Sequence, residues 1–117
     1  MKTKGLYQGS KKSVVIFLDG EDDVESFLDS LTASDRRKLD VLFERMGEFG
    51  VLNNREKFKK LEGSDGIFEF KSFQIRLLCF FVGDRVVICR GLFKKKNKHD
   101  KVNIAYAETC RQKCIGE

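Results

Sequence analysis

The sequence predicts an α+β fold with a mainly antiparallel sheet, on three observations. Two consecutive segments in the first half, residues 24–31 and 39–46, carry apolar side chains at the spacing of one helix face. Three runs rich in β-branched and aromatic residues follow in the second half, separated by short turns. Helices and hairpin strands in separate runs, rather than in strict alternation, are typical of this class. The predicted order is β-α-α-β-β-β-α, with the two helices packed on one face of the sheet.

The length of 117 residues, with neither an internal repeat nor a linker, predicts one domain over residues 1–117. Hydrophobic residues make up 41% and charged residues 35% of the chain, which suits a small core under a highly charged surface. No apolar run approaches the roughly 20 residues that span a bilayer, so a membrane protein is excluded. The chain is too short for a large enzyme with its own cofactor domain, and no cofactor is expected. Residues 1–12 are polar and basic and are expected to form a loose tail.

The first half is predicted to hold one strand and a helical hairpin. Residues 13–18 form a short apolar run that is typical of a strand. Asp19 is the predicted N-cap of the first helix, because acidic residues follow it where the helix dipole favours them. Thr32 and Asp35 have the spacing of a capping box at the start of the second helix. Two glycines, Gly47 and Gly50, mark the end of that helix.

The second half is predicted to form three strands and a final helix. The strands cover residues 66–71, 75–82 and 85–93, and the helix covers residues 102–114. Ser72-Phe73-Gln74 connects the first two strands, and Gly83-Asp84 is a two-residue hairpin turn between the last two.

The turn at residues 83–84 predicts the strand register, and the register separates two faces. The predicted pairs are Val82–Arg85, Phe80–Val87, Leu78–Cys89 and Arg76–Gly91. If the earlier turn pairs Lys71 with Arg76, Glu69 lies opposite Leu78. One face is then apolar apart from Arg90 and receives the helices, while the other is apolar at one end and charged at the Lys71–Arg76 end. In this register Cys79 and Cys89 point to opposite faces.

Charge is unevenly distributed along the chain, whose formal net charge is +5. Residues 19–30 include six acidic residues and no basic one, whereas residues 84–101 include seven basic and two acidic residues. A basic patch attracts polyanions such as nucleic acid, although a charge run can equally be a solvated surface. The lysines predicted to bind a polyanion are Lys94, Lys95 and Lys96, with Lys59 and Lys60 earlier in the chain.

Four cysteines, Cys79, Cys89, Cys110 and Cys114, are expected to be reduced thiols of a cytoplasmic protein. No secretory signal precedes them, and the first apolar run is too short for one. Neither a CxxC pair nor a histidine at ligand spacing accompanies them, so no zinc or other metal site is expected.

Arg76 has two interpretations. It is either a cross-strand ion-pair partner of Glu69 or the centre of an anion site on an open sheet face. The second follows from its planar, permanently charged guanidinium, which suits a phosphate oxygen. Lys71 beside it, and the lysines from Lys94 onward, are expected to converge on the same place.

These residues carry a resemblance to a known family. The stretches 61–71 and 75–81 resemble the central hairpin of RelE/ParE-superfamily toxins, and the segment that follows them, from Val86 to Lys96, strengthens this resemblance. The Gly-x-Phe-x-Lys-Lys pattern before a polar segment and an Ala-containing helix is similar to the HigB-like, phage-derived branch. The resemblance covers roughly residues 13–114, and its specific part is residues 61–107.

The resemblance implies the toxin of a bacterial or phage type II toxin–antitoxin pair. Such toxins enter the ribosomal A site and cut mRNA without a metal, by attack of a ribose 2′-OH on the adjacent phosphate. The implied partners are mRNA, the ribosome and a cognate helix-turn-helix antitoxin. By position, Arg76 matches the arginine that contacts the scissile phosphate, Lys71 a basic residue before it, and Lys94 and Lys95 the lysine pair of the branch. Glu69 is either a base or a partner for Lys71.

The chain departs from the pattern of its relatives at three places, one of which is the lack of a Tyr in the C-terminal segment, since Tyr106 lies within the last predicted helix. Lys98-His99-Asp100 stands where a Thr-Pro usually follows the lysine pair, and Lys71 stands where an arginine is expected. His99 is either a general acid or base, since its charge changes near neutral pH, or an exposed loop residue. The alternative function is a non-cutting protein of the same fold, either a gyrase inhibitor or an inactive phage relative.

Overall fold

The computed structural model describes residues 1–94 and 101–116, which form one sheet with helices on both faces. The strands are β1 (Thr3–Gln8), β2 (Ser13–Phe17), β3 (Phe58–Lys60), β4 (Phe68–Ser72), β5 (Ile75–Val82) and β6 (Arg85–Phe93). The helices are α1 (Val24–Asp29), α2 (Ala33–Phe49) and α3 (Lys101–Ile115).

The sheet has the order β1-β2-β6-β5-β4-β3, and its neighbours are antiparallel except for the parallel pair β2 and β6. This confirms an α+β fold with a mainly antiparallel sheet. The element order contains the predicted one and adds β1 and β3, which form the two edges. Edge strands that are short and largely polar have a weak sequence pattern, which is why both were missed.

The prediction of a loose tail over residues 1–12 is wrong, because β1 pairs with β2 and is fixed to α2. The Tyr7 hydroxyl donates a hydrogen bond to Glu48 Oε2 at 2.6 Å. The backbone N–H groups of Lys11 and Lys12 donate to the Gly47 carbonyl at 2.9 and 3.0 Å. Gly9 lies so close to α2 that a Cβ atom there would overlap the backbone of Gly47.

The caps of α2 are those that the sequence predicts, whereas the N-cap of α1 is a different residue from the predicted one. Thr32 accepts a hydrogen bond from the Asp35 N–H at 3.1 Å, and Gly50 ends α2 with a φ of 77°, both as predicted. The N-cap of α1 is Asp23, which accepts from the Ser26 N–H, and not Asp19. The Asp19 carboxylate instead accepts from the Lys2 N–H at 2.8 Å, because the N-terminal strand lies beside it.

The sheet is buried on both faces. Helices α1 and α2 cover one face, as predicted, and their core includes Leu39, Phe43, Phe70 and Leu77. Helix α3 packs on β5 and β6 from the other side, over a second core. The residues of that second core include Val15, Phe17, Leu61, Ile67, Leu78, Phe80, Val87, Cys89, Ala107 and Cys110. The expectation of an open sheet face around Arg76 is therefore wrong.

A β-bulge between Leu78 and Cys79 changes the predicted register of β5 and β6. The pairs nearest the turn, Val82–Arg85 and Phe80–Val87, are as predicted. Beyond the bulge Leu78 faces Arg90 instead of Cys89, and Arg76 faces Leu92 instead of Gly91. An extra residue in one strand reverses the faces of those that follow it.

The bulge has consequences for both faces of β6. Arg90, predicted on the face of α1 and α2, contacts Asn103 and Tyr106 of α3 instead. Gly91 turns toward α1, where a Cβ atom would overlap the Phe27 ring. Cys79 and Cys89 still belong to different cores, so their predicted separation on opposite faces is confirmed.

Candidate functional site

The predicted site residues meet at the end of the sheet that holds the turn between β4 and β5. Lys71 pairs with Arg76 across that turn, as predicted, and Glu69 faces both Leu78 of β5 and Lys59 of β3. Directly paired residues point to the same face of a sheet, so Lys59, Glu69, Lys71 and Arg76 share one face. We call these four residues the basic cluster.

Arg76 and Glu69 form the buried centre of the basic cluster. The Arg76 Nε atom lies 3.4 Å from Glu69 Oε1, and the two side chains are 6% and 0% exposed. Arg76 Nη1 also donates to the carbonyl oxygen of Ile75 at 3.0 Å and to that of Phe73. The ion-pair interpretation of Arg76 is therefore the one that the structure shows, and its guanidinium holds the turn in place. The burial of Glu69 favours its role as a pairing partner.

Lys71 is half-buried beside that ion pair, as is Lys59 of the basic cluster. Partial burial lowers the pKa of Lys71, and the positive charges of Lys59 and Arg76 lower it further. A lysine with a depressed pKa both attracts a phosphate and exchanges a proton more readily than an ordinary surface lysine. Lys71 is thus the cluster residue best suited to proton transfer.

Lys59 and Lys60 lie on opposite faces of β3. Lys59 faces Glu69 and belongs to the basic cluster, whereas Lys60 faces Phe68 on the side of α2. The sequence predicts the two lysines as one polyanion-binding pair, but strand alternation allows only one of them to line the same surface.

The lysine run after β6 begins at the basic cluster end of the sheet. The backbone N–H of Lys94 donates to the Gln74 carbonyl at 2.7 Å, which holds the start of the run beside the β4–β5 turn. Lys95, Lys96 and His99 lie outside the described residues.

Phe73, at the turn itself, was not singled out from the sequence. It is 71% exposed and has a φ of 55°. The Nζ atoms of Lys38 and Lys57 lie 4.2 and 5.9 Å from its ring centroid. The sequence could have drawn attention to Phe73, because a short hairpin turn usually carries glycine or asparagine at such a position and here carries an aromatic residue.

A groove lies between α2 and the β3 edge of the sheet, and Lys59 of the basic cluster is one of the residues at its rim. It has a volume of about 380 Å³, and aromatic rings from β3, β4 and β5 form its floor, with cationic side chains at the rim. Among its lining residues are Met46, Leu52, Arg55, Phe58, Lys60, Phe68 and Phe81. The Phe58 and Phe68 rings stack with their centroids 5.4 Å apart. Such a surface suits an apolar segment that also carries negative charge.

Arg90 attaches α3 and the acidic segment before α1 to the sheet. Its guanidinium donates two hydrogen bonds to Asp22, at 2.6 and 3.0 Å, and one to Asn103 at 3.0 Å. The same group lies 3.9 Å from the Tyr106 ring centroid, and the hydrogen bonds to Asp22 raise the pKa of Arg90. This network fixes the helix that buries the second face.

The four cysteines are buried free thiols, as predicted for a reduced protein. Cys89 and Cys110 lie in the core beneath α3, and their hydrogen bond lowers the pKa of Cys110 to about 7. Within residues 1–94 and 101–116, no three or more His, Cys, Asp or Glu side chains are grouped as metal ligands would be. In the same part of the chain, no helix has the length and apolar character that crossing a bilayer requires.

Comparison with known proteins identifies a family whose model matches this chain and a solved structure with a similar fold. The family model of the phage-derived protein Gp49-like matches residues 26–112, which is more than half of the chain. A chain of the crystal structure of the RelB–RelE antitoxin–toxin complex from Methanococcus jannaschii has a similar fold, with a TM-score of 0.52 and 17% identity. That match covers 59% of this chain and 81% of the other. No curated protein matches the sequence.

Proposed function

The chain belongs to the Gp49-like family of phage-derived proteins and has a RelE-like fold, as its sequence resemblance predicted, and from this we propose its function. We propose that it is the toxin of a toxin–antitoxin pair and that it cuts mRNA on the ribosome. The observation on which the proposal rests is the basic cluster, in which Lys59 and Lys71 share one face of the sheet with a buried Arg76–Glu69 ion pair.

The proposed reaction is an internal phosphoryl transfer that needs no metal. The ribose 2′ oxygen forms a bond to the adjacent phosphorus, and the bond from phosphorus to the 5′ oxygen breaks. A base takes the 2′ proton and an acid donates a proton to the departing 5′ oxygen, which leaves a cyclic phosphate and a 5′-hydroxyl. The positive charges of Lys59 and Lys71 stabilise the extra negative charge on the phosphate in the transition state.

The structure supports a division of roles that differs from the one the sequence predicts. Lys71 and Lys59 are proposed to contact the phosphate, and Lys71 to exchange a proton, because its pKa is lowered. Arg76 is proposed as a positioning residue that holds the turn through the carbonyls of Phe73 and Ile75. Glu69 supports Arg76, and His99 remains a predicted acid or base outside the described residues. The lysines from Lys94 to Lys96 are proposed to bind flanking RNA.

We also propose a protein antitoxin as partner, of the helix-turn-helix type that the resemblance implies. The similar solved structure is an antitoxin–toxin complex. The groove behind β3, with its apolar floor and the cations Arg55 and Lys60 at its rim, suits an acidic segment with apolar side chains.

The non-cutting alternative has one observation in its favour. Arg76 is buried and engaged by protein atoms, so its guanidinium is not presented to a substrate. A relative that uses this fold only for binding needs no more than the charged surface.

The test is cleavage of a short mRNA held on purified ribosomes. The intact protein should release fragments with 2′,3′-cyclic phosphate and 5′-hydroxyl ends, with or without EDTA. Lys71→Ala should lose at least about 100-fold in rate, the lower range for a general acid or base. Lys60→Ala is the matched control, because the neighbouring strand position points it to the opposite face, and it should cut normally. Intact mRNA with a folded wild-type protein would favour the alternative function.

A further inference from the structure

Phe73 has a conformation and an exposure that do not help the protein to fold. It is the first residue of the two-residue turn between β4 and β5, and its φ of 55° lies in the left-handed region. For a residue with a Cβ atom this conformation is disfavoured relative to glycine. Its ring is also 71% exposed. Within the folded chain the ring makes cation–π contacts with Lys38 and Lys57, which are weak at an exposed site, so folding gives little reason for an aromatic side chain at this turn.

Cations surround the Phe73 ring. Lys38 of α2 and Lys57 before β3 approach it with their Nζ atoms 4.2 and 5.9 Å from the centroid. Lys71 lies two residues before it in the chain, at the end of β4, and the backbone of Lys94 is bonded to the next turn residue, Gln74. The ring is thus a flat apolar surface inside a positively charged end of the sheet.

The turn that carries the ring is held firmly. The Arg76 guanidinium donates hydrogen bonds to the Phe73 and Ile75 carbonyls. Arg76 is itself fixed by buried Glu69. A ligand that stacks on Phe73 would therefore find a preformed platform, and little entropy would be lost in ordering it.

We propose that Phe73 stacks on one base of the single-stranded RNA whose phosphates meet Lys38, Lys57 and Lys71. Unpaired bases stack on aromatic side chains, and the lysines supply the charges that follow the backbone on either side. When the base occupies the ring face, the flexible Lys38 side chain can pair with the flanking phosphate. This inference rests on the proposed function, since it assigns a base contact next to the proposed site of cleavage.

Three substitutions separate stacking from folding. Phe73→Gly removes the ring and suits the left-handed conformation, so the variant should be at least as stable as the wild type. Phe73→Leu keeps apolar bulk without an aromatic face, and Phe73→Trp keeps the face. Phe49→Ala is the matched control, because Phe49 is also 71% exposed but lies at the far end of α2, about 16 Å along the helix from Lys38.

The first readout is binding of fluorescein-labelled hexauridylate RNA across a salt series. Phe73→Gly and Phe73→Leu should bind about 5- to 100-fold more weakly, whereas Phe73→Trp and Phe49→Ala should bind like the wild type. The salt dependence should keep its slope in Phe73→Gly, because no phosphate contact is lost. In Lys57→Ala the slope should fall by about 0.7 of a log–log unit.

The second readout is the KM for cleavage of ribosome-bound mRNA, which decides the question if the free RNA binds too weakly to measure. A raised KM in Phe73→Gly, restored in Phe73→Trp, supports stacking. If Phe73→Gly binds and cuts RNA like the wild type, the inference is wrong and the proposed function stands. The inference is equally wrong if the substitution weakens only the binding of a protein partner. If the wild type neither binds the RNA nor cuts mRNA, the inference and the proposed function both fail.

Discussion

Arg76 and Glu69, on adjacent strands, form an ion pair that is shut off from solvent, with Nε 3.4 Å from Oε1. Neither residue is directly opposite the other in the ladder, since Glu69 faces Leu78 and Arg76 faces Lys71. The contact is therefore diagonal and needs the long arginine side chain. Because Arg76 also donates to the carbonyls of Phe73 and Ile75, the ion pair anchors the β4–β5 turn, where the proposed chemistry takes place, to the buried sheet.

Arg76→Ala should destabilise the protein, contrary to what an exposed arginine would do. Removing one partner of a buried pair leaves an uncompensated charge and costs about 3–5 kcal/mol of unfolding free energy. Urea unfolding measures this loss. The double variant Arg76→Met with Glu69→Leu should recover most of it, because no charge then remains buried. An Arg76→Ala variant as stable as the wild type would show that the ion pair does not contribute to stability. Any loss of activity in that variant would then indicate a role of Arg76 in the reaction itself.

Lys71→Met should raise stability while it abolishes cutting. Burial and the neighbouring cations lower the pKa of Lys71 below its ordinary value of 10.5, so its charged form is disfavoured in the folded state. This penalty is fully present below the lowered folded pKa and disappears as the pH rises toward 10.5. The stability gain of Lys71→Met over the wild type, measured by urea unfolding, should therefore shrink as the pH rises through the lowered pKa toward 10.5. A gain that is independent of pH would contradict the lowered pKa.

Gly9→Ala should destabilise the protein, because the new Cβ atom would overlap the Gly47 backbone and neither backbone can rotate away. Overpacking of this kind costs about 1–3 kcal/mol or more. Gly5→Ala in β1 is the matched control, since a Cβ atom there meets nothing within 4 Å, and it should change stability by about 0.5 kcal/mol at most. Thermal unfolding of the two variants provides the comparison, and equal melting temperatures would show that the N-terminal strand is not held against α2.

Tyr7→Phe should reduce the acid sensitivity of the protein. Hydrogen bonds from Tyr7 and then Ser10 lower the pKa of Glu48 below its ordinary value of 4.5. The stability that this carboxylate contributes is present above pH 4.5 and is lost as the pH falls through the lowered folded pKa. The wild type should therefore lose its advantage over Tyr7→Phe during an acid titration followed by circular dichroism. Parallel titration curves for the two proteins would exclude the contribution of this bond.

Local patterns in the sequence predicted the parts of the fold that are decided locally. The spacing of apolar residues located α1 and α2, and the Thr32 cap and the Gly50 terminus followed from their residue types. The turn between the first two predicted strands of the second half suggested the pairing of Lys71 with Arg76. The bulge beside Cys79 was not predictable, because an extra residue in a ladder does not alter the pattern of an apolar run. The burial of Arg76 depends on tertiary packing. The last helix was predicted from its own residues, but no local pattern shows that it packs over the second face of the sheet.

The parallel pairing of β2 with β6 determines at what stage of translation the sheet of this protein can be fully assembled. Ser13 pairs with Arg85, so the inner edge of β2 has no strand beside it until β6 has been made. Contacts so distant in the chain form late, after the entropy of closing the long loop has been overcome. The helix that covers the second face follows later still. A chain proposed to attack mRNA on ribosomes thus reaches its finished shape only after β6 and then α3 have been synthesised and have packed onto the earlier strands.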